Sequence, residues 1–308
     1  MAIYLVTGGA GFIGSHITEA IVSRGETVRV LDDFSTGKRA NLAHVPAVEI
    51  VEGDVRDAES VARAAAGTDY IIHQAAQVSV SRSMVDPAAT NDINVNGTLN
   101  VLAAAQKHGV RRVVMASSCS VYGDNDELPL QESAVTLPLS PYAASKLIGE
   151  VYCQTFYRAY GVPTVCLRYF NVYGPRQDPN GDYAAVIPKF AQRMKRGQSP
   201  IIYGDGSQTR DFVYVGDVVR ANLLACERDE AVGQVLNVAS GRAVSLLNLV
   251  AAFNELGPTQ FDPQFEAARP GDIKHSRGNG AKLAALLDFQ PATSLATGLQ
   301  HVWNNGAP

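Results

Sequence analysis

The stretch IYLVTGGAGFIGSH, residues 3–16, decides the fold of this chain. It opens with a short apolar run that predicts a buried strand, and Gly8, Gly11 and Gly14 follow where a helix is predicted to begin. Glycines at this spacing permit a tight turn and let a diphosphate approach the backbone, while the helix N-terminus supplies N–H donors and a favourable dipole. The stretch therefore predicts a strand–turn–helix unit that binds a dinucleotide.

The next predicted strand, TVRVLD, supports this interpretation because it ends at Asp32, 18 residues after Gly14. A carboxylate at this point accepts hydrogen bonds from an adenosine ribose and repels a 2′-phosphate, so the sequence favours NAD over NADP. Lys38 and Arg39 follow closely, and because such cations can pair with a 2′-phosphate, NADP stays an alternative cofactor. The other alternative, a glycine-rich turn that serves packing alone, is disfavoured by the strand, helix and acid together.

Through the first half of the chain, strand-length apolar runs alternate with helix-length amphipathic stretches. The runs are IYLV, TVRVLD, EIVEGD, YIIHQA and RRVVMASS, and the main helices are predicted over 12–24 and 91–108. The runs are continuously apolar, as expected for parallel strands covered by helices on both faces. We therefore expect an α/β fold with a Rossmann-type doubly wound parallel sheet.

The second half of the chain is richer in proline, glycine and polar turns. We predict a smaller C-terminal substrate-binding region that covers the carboxyl edge of the sheet, where such sheets bind ligands. The predicted boundaries are 1–168 for the NAD-binding domain, rejoined by about 211–240, and 169–210 with 241–308 for the substrate region. The segments DFVYV and QVLNV are the candidates to return to the first sheet.

The segment SPYAASK places Tyr142 and Lys146 four residues apart, on one face of a predicted helix. Ser140 suits the N-cap position and Pro141 the first helical position. A lysine ammonium beside a phenol lowers the pKa of the tyrosine, which makes Tyr142 a candidate base. In isolation such a pair is more often a solvated helix face; the dinucleotide-binding pattern upstream favours the catalytic interpretation.

A run of small polar residues, Ser117, Ser118, Cys119 and Ser120, follows the predicted strand RRVVMA. A hydroxyl at this edge can hydrogen-bond a reacting alcohol or carbonyl. Serines also commonly finish strands and begin turns, which is the structural alternative. Cys119 has no organised histidine partner in the sequence, and we expect it to be a buried thiol.

Composition excludes several classes of protein. The 308 residues are 46% hydrophobic with a net charge of −4, which indicates a packed globular protein without the basic field that nucleic acids require. The four cysteines form no CxxC pair, so neither a metal site nor a disulfide framework is predicted. No signal peptide or membrane-spanning run is visible, and a cytoplasmic location is expected.

Taken in order, TGGAGFIG, VLDD, GDVRD, HQAA, NVNGT, SSCSVYG, YAASK and LRYFNVYGP resemble the extended short-chain dehydrogenase/reductases of the NAD-dependent epimerase/dehydratase family. The resemblance covers nearly the whole chain and implies NAD as the cofactor. It assigns Ser118, Tyr142 and Lys146 as the catalytic residues. The implied cofactor contacts are Gly8, Gly11, Phe12, Ile13, Gly14, Asp32, Asp33, Asp54, Val55, Ala75, Ala76, Gln77, Asn94, Tyr142, Lys146 and Tyr169.

Within the family, the residues before VYG distinguish the branches. Dehydratases and decarboxylases typically carry an acid there, which elimination needs as a second acid or base, whereas this chain has Cys119 and Ser120. The sequence therefore resembles the UDP-sugar 4-epimerases, of the type that acts on UDP-glucose or UDP-N-acetylglucosamine. Family members usually form homodimers through the helix after NVNGT and the helix that carries YAASK, so a homodimer is expected.

The same resemblance assigns the nucleotide-sugar contacts. It places Tyr203 on the uracil, Arg210 and Arg269 on the diphosphate, and Ser276 where a small residue leaves room for a 2-acetamido group. Judged singly, Tyr203 and the arginines are more often core or surface residues, and Ser276 is equally consistent with an inconsequential surface serine. The remaining predicted substrate contacts are Ser79, Ser118, Asn171, Ala185, Val186 and Phe190.

The leading hypothesis is NAD-dependent C4 epimerisation of a UDP-hexose through a transient 4-keto sugar. UDP-glucose with UDP-galactose, and UDP-GlcNAc with UDP-GalNAc, are the expected substrate pairs. A UDP-glucuronate 4-epimerase is the first alternative, with Arg82 and Arg176 as candidate partners of the carboxylate. The second alternative is a non-catalytic NAD-sensing member of the same fold, which has no need for Ser118, Tyr142 and Lys146 together.

Overall fold

The computed structural model describes residues 1–45, 47–180, 185–268 and 273–305. Its strands are β1 (Ile3–Thr7), β2 (Thr27–Asp32), β3 (Glu49–Glu52), β4 (Tyr70–His73), β5 (Arg112–Ser118), β6 (Thr164–Tyr169), β7 (Asn171–Tyr173), β8 (Ile201–Tyr203), β9 (Thr209–Tyr214), β10 (Val235–Val238), β11 (Ala243–Ser245) and β12 (Gln264–Glu266). Its α-helices are α1 (Phe12–Ser23), α2 (Ala58–Ala65), α3 (Val80–Val85), α4 (Pro87–Asn91), α5 (Gly97–His108), α6 (Pro141–Tyr160), α7 (Val186–Lys195), α8 (Val215–Glu227), α9 (Leu246–Asn254), α10 (Ala281–Leu287) and α11 (Leu295–Asn305).

The central sheet has seven strands in the order β10-β6-β5-β4-β1-β2-β3, and every neighbouring pair is parallel. The strand order reverses between β1 and β4, so the helices that follow these two strands diverge and leave a crevice at their carboxyl ends. The arrangement confirms the predicted Rossmann-type doubly wound parallel sheet.

Both faces of the sheet are buried, which explains why its strands are continuously apolar. Along β1, Tyr4 and Val6 pack into one hydrophobic cluster with Ile17 of α1. Leu5, between them, points to the other face and packs with Leu102 of α5. Successive side chains of a strand alternate between faces, so a strand covered on both sides needs an apolar residue at each position.

After β6, the chain contributes one more strand to this sheet and builds two small sheets of its own. QVLNV returns as β10 and pairs with β6. The prediction that DFVYV returns to the central sheet is wrong, since this segment lies in β9, which finds a parallel partner in β7 and an antiparallel one in β11. Phe190, Ile202 and Phe253 belong to a separate hydrophobic cluster in this region. The domain boundaries proposed from the sequence stay a prediction.

None of the helices in the part of the chain that the structure describes combines the length and the apolar character needed to cross a bilayer.

Candidate functional site

A cleft of about 580 Å³ lies at the carboxyl ends of the central strands. It brings together every cofactor contact implied by the sequence except Asn94. These lining residues are Gly8, Gly11, Phe12, Ile13, Gly14, Asp32, Asp33, Asp54, Val55, Ala75, Ala76, Gln77, Tyr142, Lys146 and Tyr169. Ser118 lines the same cleft, so the three predicted catalytic residues share one cavity with the glycine-rich turn.

The glycine-rich turn has the shape that a diphosphate needs. Gly8 has a φ of +68°, and a Cβ there would lie 2.7 Å from the backbone nitrogen of Ala75. A Cβ on Gly14 would lie 2.1 Å from the carbonyl oxygen of Gly8. Helix α1 begins after Gly11 with no side-chain cap and no acidic residue in its first turn. Its first N–H groups are therefore available to an anion, and the turn fits a dinucleotide.

Asp32 is anchored at the edge of this cleft. Its carboxylate accepts hydrogen bonds from the backbone of Ala10 at 2.8 Å and of Phe34 at 2.9 Å. Burial raises the pKa of Asp32, and the two backbone hydrogen bonds oppose that shift. Because two N–H groups orient the carboxylate, it presents a fixed acceptor to a ribose.

Lys38 and Arg39, the two residues that made NADP an alternative cofactor, each pair with a carboxylate. Lys38 Nζ lies 2.8 Å from a carboxylate oxygen of Asp178, and Arg39 pairs with Glu52. The Arg39 guanidinium also stacks on Phe34, 4.0 Å from the ring centroid. Both cations are thus engaged by acids, which favours NAD.

Replacing Asp32 with Ala is expected to weaken NAD binding by at least about 10-fold and NADP binding less, since only the unphosphorylated ribose offers two hydroxyls to the carboxylate. Titration of the cofactor-free protein with each dinucleotide measures the two dissociation constants, and thermal unfolding reports whether the turn survives. Equal losses for both dinucleotides would show that Asp32 does not select between them.

A buried polar chain supports the loop after β4. His73 lies between Thr7 at 2.7 Å and Thr98 at 3.1 Å, and the Thr98 hydroxyl donates to the carbonyl of Asn94. Burial lowers the pKa of His73 to about 3, so its imidazole is neutral. Asn94 accepts from the backbone N–H of Gln77 at 2.8 Å and donates to its carbonyl at 3.0 Å. Asn94 therefore acts on the cleft by holding Gln77.

The start of α6 positions the candidate base. The N-cap Ser140 accepts from the backbone of Ala143 at 3.1 Å and Pro141 is the first helical residue, as the sequence predicted. Lys146 is 7% exposed, and its Nζ donates to the carbonyl of Ala116 on β5 at 2.9 Å. This hydrogen bond fastens α6 to the strand that ends at Ser118.

The expected lowering of the Tyr142 pKa by Lys146 is wrong for the protein by itself. Burial raises the pKa of Tyr142 to about 12, and its hydrogen bond with Ser118 opposes the rise. Burial also lowers the pKa of Lys146 to about 8. The Lys146 ammonium donates to the Ala116 carbonyl instead, and desolvation of the buried phenol sets the direction of the Tyr142 pKa shift. The phenol is therefore protonated at neutral pH in the protein alone.

Ser117 and Ser118, the last two residues of β5, have different roles. The Ser118 hydroxyl lines the cleft and accepts from the backbone of Ser120 at 3.2 Å. Ser117 donates to the buried carboxylate of Glu150 on α6. Cys119 is half-buried rather than buried as predicted, and desolvation raises the pKa of its thiol to about 12, which disfavours the reactive thiolate.

The predicted substrate contacts other than Ser118 lie outside this cleft. Ser79 caps α3, accepting from the backbone of Arg82 at 3.1 Å. Phe190 is 2% exposed within the core of the C-terminal region. Arg269 lies outside the described residues. The others lie on the C-terminal elements or the connections between them, namely Asn171, Ala185, Val186, Tyr203, Arg210 and Ser276.

The segment 274–279 holds two of these residues near Cys119, which follows the candidate catalytic residue Ser118. The backbone N–H of Ser276 donates to Thr209 at 3.1 Å, and Arg210 Nη1 donates to the carbonyl of Lys274 at 3.3 Å. The Ser276 hydroxyl hydrogen-bonds to Cys119, the residue after Ser118. Ser276 and Arg210 thus belong to one surface that continues from the cleft.

Sequence reasoning missed several residues that shape this site. Gln74 donates to the Tyr169 hydroxyl at 2.8 Å, and Asn222 of α8 accepts from the same hydroxyl at 2.9 Å. The buried carboxylate of Asp211 accepts from the backbones of Ser240 and Gly278 at 2.8 and 3.0 Å. The motifs HQAA and TRDF contained Gln74 and Asp211, but nothing in the pattern assigned them partners.

Within the described ranges 1–45, 47–180, 185–268 and 273–305, no group of three or more His, Cys, Asp or Glu side chains is placed to hold a metal ion. The four cysteines are free thiols.

Comparison with known proteins decides the family. Residues 4–239 match the family model described as the NAD dependent epimerase/dehydratase family. The chain belongs to this family. Membership confirms the family expected from the motifs, and with it the choice of NAD as the cofactor.

Relatives within the family cover the whole length of the chain. A UDP-glucose 4-epimerase of Mycolicibacterium smegmatis is 39% identical over 300 residues, which are 96% of this chain and 95% of that protein. The solved UDP-N-acetylglucosamine 4-epimerase from Methanobrevibacter ruminantium, in complex with UDP-N-acetylmuramic acid, is 39% identical with a TM-score of 0.94, covering 98% and 97% of the two chains. The Thermus thermophilus UDP-glucose 4-epimerase in complex with NAD is 38% identical with a TM-score of 0.89, covering 98% of each chain. The chain therefore groups with the UDP-sugar 4-epimerases of the family.

Proposed function

We propose that this protein interconverts the C4 epimers of a UDP-hexose through a transient 4-keto sugar, with NAD as the cofactor. The main support for this proposal is that Ser118, Tyr142 and Lys146 line one cleft together with the glycine-rich turn and Asp32. A dinucleotide held by the turn would lie beside a phenol, a hydroxyl and an amine. Together, these groups and the dinucleotide can oxidise an alcohol to a ketone and reduce it again.

In the proposed mechanism, Tyr142 removes the proton from the sugar 4-hydroxyl and later returns it. Ser118 hydrogen-bonds to Tyr142 and orients the same hydroxyl. The glycine-rich turn and Asp32 would hold NAD, which would supply the acceptor for the C4 hydride and return that hydride to the ketone. Lys146, protonated, stabilises the phenolate, and the exclusion of water from the closed cleft strengthens that attraction. The raised pKa of Tyr142 belongs to the protein without ligands, and the positive charge of an oxidised nicotinamide would lower it and favour the phenolate.

Inversion at C4 requires the 4-keto sugar to present its opposite face while the nucleotide stays bound. We assign Tyr203, Arg210 and Arg269 to the nucleotide, because an aromatic face stacks on a base and arginines pair with diphosphate oxygens. Few fixed contacts to the sugar are needed, since each would oppose its rotation. This division explains why the sequence contains more recognisable nucleotide contacts than sugar contacts.

The structure weakens the UDP-glucuronate alternative. Arg176, one of its two candidate carboxylate partners, pairs with Glu19 and hydrogen-bonds to His16 on α1. Arg82 lines the cleft and keeps the alternative testable. The non-catalytic alternative leaves the shared position of Ser118, Tyr142 and Lys146 without a purpose.

One experiment separates the three functions. The purified protein is incubated with UDP-glucose, UDP-GlcNAc or UDP-glucuronate without added NAD, and products are identified by NMR. Conversion of UDP-glucose or UDP-GlcNAc supports the proposal, and conversion of UDP-glucuronate alone supports the first alternative. No conversion by protein that releases NAD on denaturation supports the NAD-sensing alternative.

Substitution of Ser276 tests the N-acetyl assignment. If its small side chain admits the 2-acetamido group, Ser276→Tyr fills that space and suppresses conversion of UDP-GlcNAc while largely sparing UDP-glucose. We expect the ratio of the two kcat/KM values to change by roughly 10-fold or more. An unchanged ratio would mean that Ser276 does not line the sugar pocket.

We also propose a homodimer through α6 and its neighbours. Ile148 and Val151 on α6 are 38% and 55% exposed, and Val80 and Met84 on the adjoining α3 are 46% and 62% exposed. Such a group of exposed apolar side chains on adjoining helices is typical of a subunit interface.

Placing a charge in this interface is expected to separate the subunits. Val151→Arg buries an unpaired charge in the dimer, so sedimentation at micromolar concentration is expected to show a monomer. The control is Phe265→Arg, at an apolar residue of β12 that is 56% exposed, and it is expected to remain dimeric. Wild-type protein that sediments as a monomer would refute the proposed dimer.

A further inference from the structure

The segment 274–279, which carries Ser276, is bonded on one side to β9. The N–H of Thr209 donates to the carbonyl of Lys274 at 3.0 Å, and the N–H of Ser276 donates to the carbonyl of Thr209 at 3.1 Å. These two hydrogen bonds form a short parallel bridge between the segment and the small sheet that contains β9. The end of the segment at Lys274 is therefore held by the backbone of Thr209.

The other side of the segment is bonded to the connection between β5 and α6. The N–H of Leu130 donates to the carbonyl of Arg277, and the N–H of Asn279 donates to the carbonyl of Leu130, both at 2.8 Å. Leu130 is 4% exposed and belongs to the hydrophobic cluster that packs on one face of the central sheet. The segment therefore lies between the central sheet and the small sheet.

One backbone group of the segment needs a different partner. Successive residues of an extended chain direct their backbone groups to opposite sides, so the N–H of Gly278 faces β9, as that of Ser276 does. From Phe212 onward, however, this edge of β9 pairs with β7. The carboxylate of Asp211 takes the place of a strand partner and accepts from the Gly278 N–H at 3.0 Å.

Asp211 holds the turn after β10 at the same time. Its Oδ1 accepts from the N–H of Ser240 at 2.8 Å and from the Ser240 hydroxyl at 2.7 Å, and its Oδ2 accepts from the N–H of Gly241 at 3.0 Å. Together with the N–H of Gly278, these donors fill the four lone-pair positions of the buried carboxylate. Because no acceptor position is left for a ligand, Asp211 can act on a substrate only through the segments that it holds.

The contact with Asp211 fixes Gly278 in a tightly packed place. A Cβ on Gly278 would lie 2.5 Å from the Cβ of Ala239, so the backbone of the segment packs directly on its neighbour. Two residues before Gly278, the hydroxyl of Ser276 hydrogen-bonds to Cys119, the residue after Ser118. The position of Gly278 therefore contributes to the position of Ser276 relative to Ser118.

We propose that Asp211 is a positioning residue for recognition of the sugar. Its carboxylate fixes the segment 274–279 and, through it, the space between Ser276 and Ser118. The inference deepens the proposed function and rests on it, since there Ser276 faces the sugar and Ser118 the 4-hydroxyl.

The other ligand contacts have anchors apart from Asp211. Arg210, assigned above to the diphosphate, donates to the carbonyls of Thr209 and Lys274 at 2.9 and 3.3 Å, at the end of the segment that Thr209 holds. The cofactor contacts line the cleft at the central sheet. Loss of the Asp211 carboxylate is therefore expected to affect the sugar more than UDP or NAD.

The test compares Asp211→Ala with the wild-type protein, with UDP-glucose and UDP-GlcNAc as substrates. The variant removes all four hydrogen bonds. We expect the KM for UDP-GlcNAc to rise by roughly 10-fold or more, as for the loss of one hydrogen bond to a charged group. The KM for UDP-glucose is expected to rise less, so that the ratio of the two kcat/KM values changes by at least about 3-fold. The Kd values for UDP and NAD are expected to stay within about 2-fold of the wild type.

Asp217→Ala is the matched control. Asp217 on α8 is 8% exposed, and its carboxylate accepts from the backbone N–H of Thr293, which precedes α11, at 3.1 Å. This variant is expected to lose stability but to keep both KM values within about 2-fold of the wild type. A purely structural role for Asp211 would give the same result in Asp211→Ala.

Asp211→Asn is expected to restore most of the wild-type behaviour. Its NH₂ group cannot face the N–H groups of Gly241 and Gly278, so the amide oxygen takes that side, and the Ser240 hydroxyl can turn to accept from the nitrogen. Because a neutral acceptor replaces a charged one, we expect the KM for UDP-GlcNAc to rise by only about 2- to 3-fold. Thermal unfolding shows whether each variant folds, and if Asp211→Ala does not, this smaller rise becomes the test.

The results that would overturn the inference are distinct from those that would overturn the proposed function. Wild-type KM values and a wild-type ratio in folded Asp211→Ala, or in Asp211→Asn if the alanine variant does not fold, would overturn the inference alone. Equal losses in the binding of UDP, NAD and both sugars would do the same, because they indicate general damage. Wild-type protein that converts neither UDP-glucose nor UDP-GlcNAc would overturn the proposed function, and this inference with it.

Discussion

The Tyr142→Phe variant is expected to lose at least about 100-fold in the rate of 4-epimerisation, because it lacks the group that moves the proton of the 4-hydroxyl. The phenylalanine ring keeps the packing of the buried tyrosine, so binding of UDP is expected to stay near the wild-type value. The measurements are kcat with the best substrate of the wild-type protein and the Kd for UDP.

A matched control for this variant lies on the same helix. Tyr157 is 39% exposed near the other end of α6, and Tyr157→Phe is expected to leave kcat within about 2-fold of the wild type, as for a surface substitution. A Tyr142→Phe variant with near-normal turnover would remove Tyr142 as the base. Loss of both turnover and UDP binding would indicate damage to the cleft instead.

The second large effect is expected at a buried ion pair between α6 and β6. Glu150 on α6 accepts from Arg168 Nε at 2.8 Å and from Nη2 at 2.7 Å, and the two side chains are 4% and 5% exposed. Ser117 donates to the same carboxylate, so the pair joins α6 to the end of β5. Glu150→Gln leaves the Arg168 charge buried without its counterion, which we expect to cost about 3–5 kcal/mol of unfolding free energy.

Urea unfolding at one protein concentration and saturating NAD measures this loss. The control is the i,i+4 pair of Glu59 and Arg63, which are 3.7 Å apart and 89% and 64% exposed. Glu59→Gln removes a solvated pair and is expected to cost no more than about 0.5 kcal/mol. Similar losses of unfolding free energy in Glu150→Gln and Glu59→Gln would show that burial of the ion pair does not decide its contribution to stability.

The parts of this protein that were predictable from its sequence depend on local chemistry. A Cβ at Gly8 or Gly14 meets backbone atoms in the turn, so glycine at these positions specifies that geometry. Ser140 and Pro141 specify where α6 begins, and the α-helical period then places Tyr142 and Lys146 on one face. Continuous apolar strands between amphipathic helices specify a parallel sheet with two covered faces.

Only the tertiary structure decided how the groups of the site behave. The Ala116 carbonyl that holds Lys146 comes from another element, and burial reverses the expected direction of the Tyr142 pKa shift. The ion-pair partner of Arg176 is Glu19, 157 residues away in the sequence, and no sequence pattern predicted this pair. Periodicity and turn chemistry act over a few residues, whereas desolvation and long-range pairing depend on which surfaces the fold brings together. The sequence alone therefore determined the scaffold and indicated the candidate reacting groups, and packing decided the partners and the protonation of those groups.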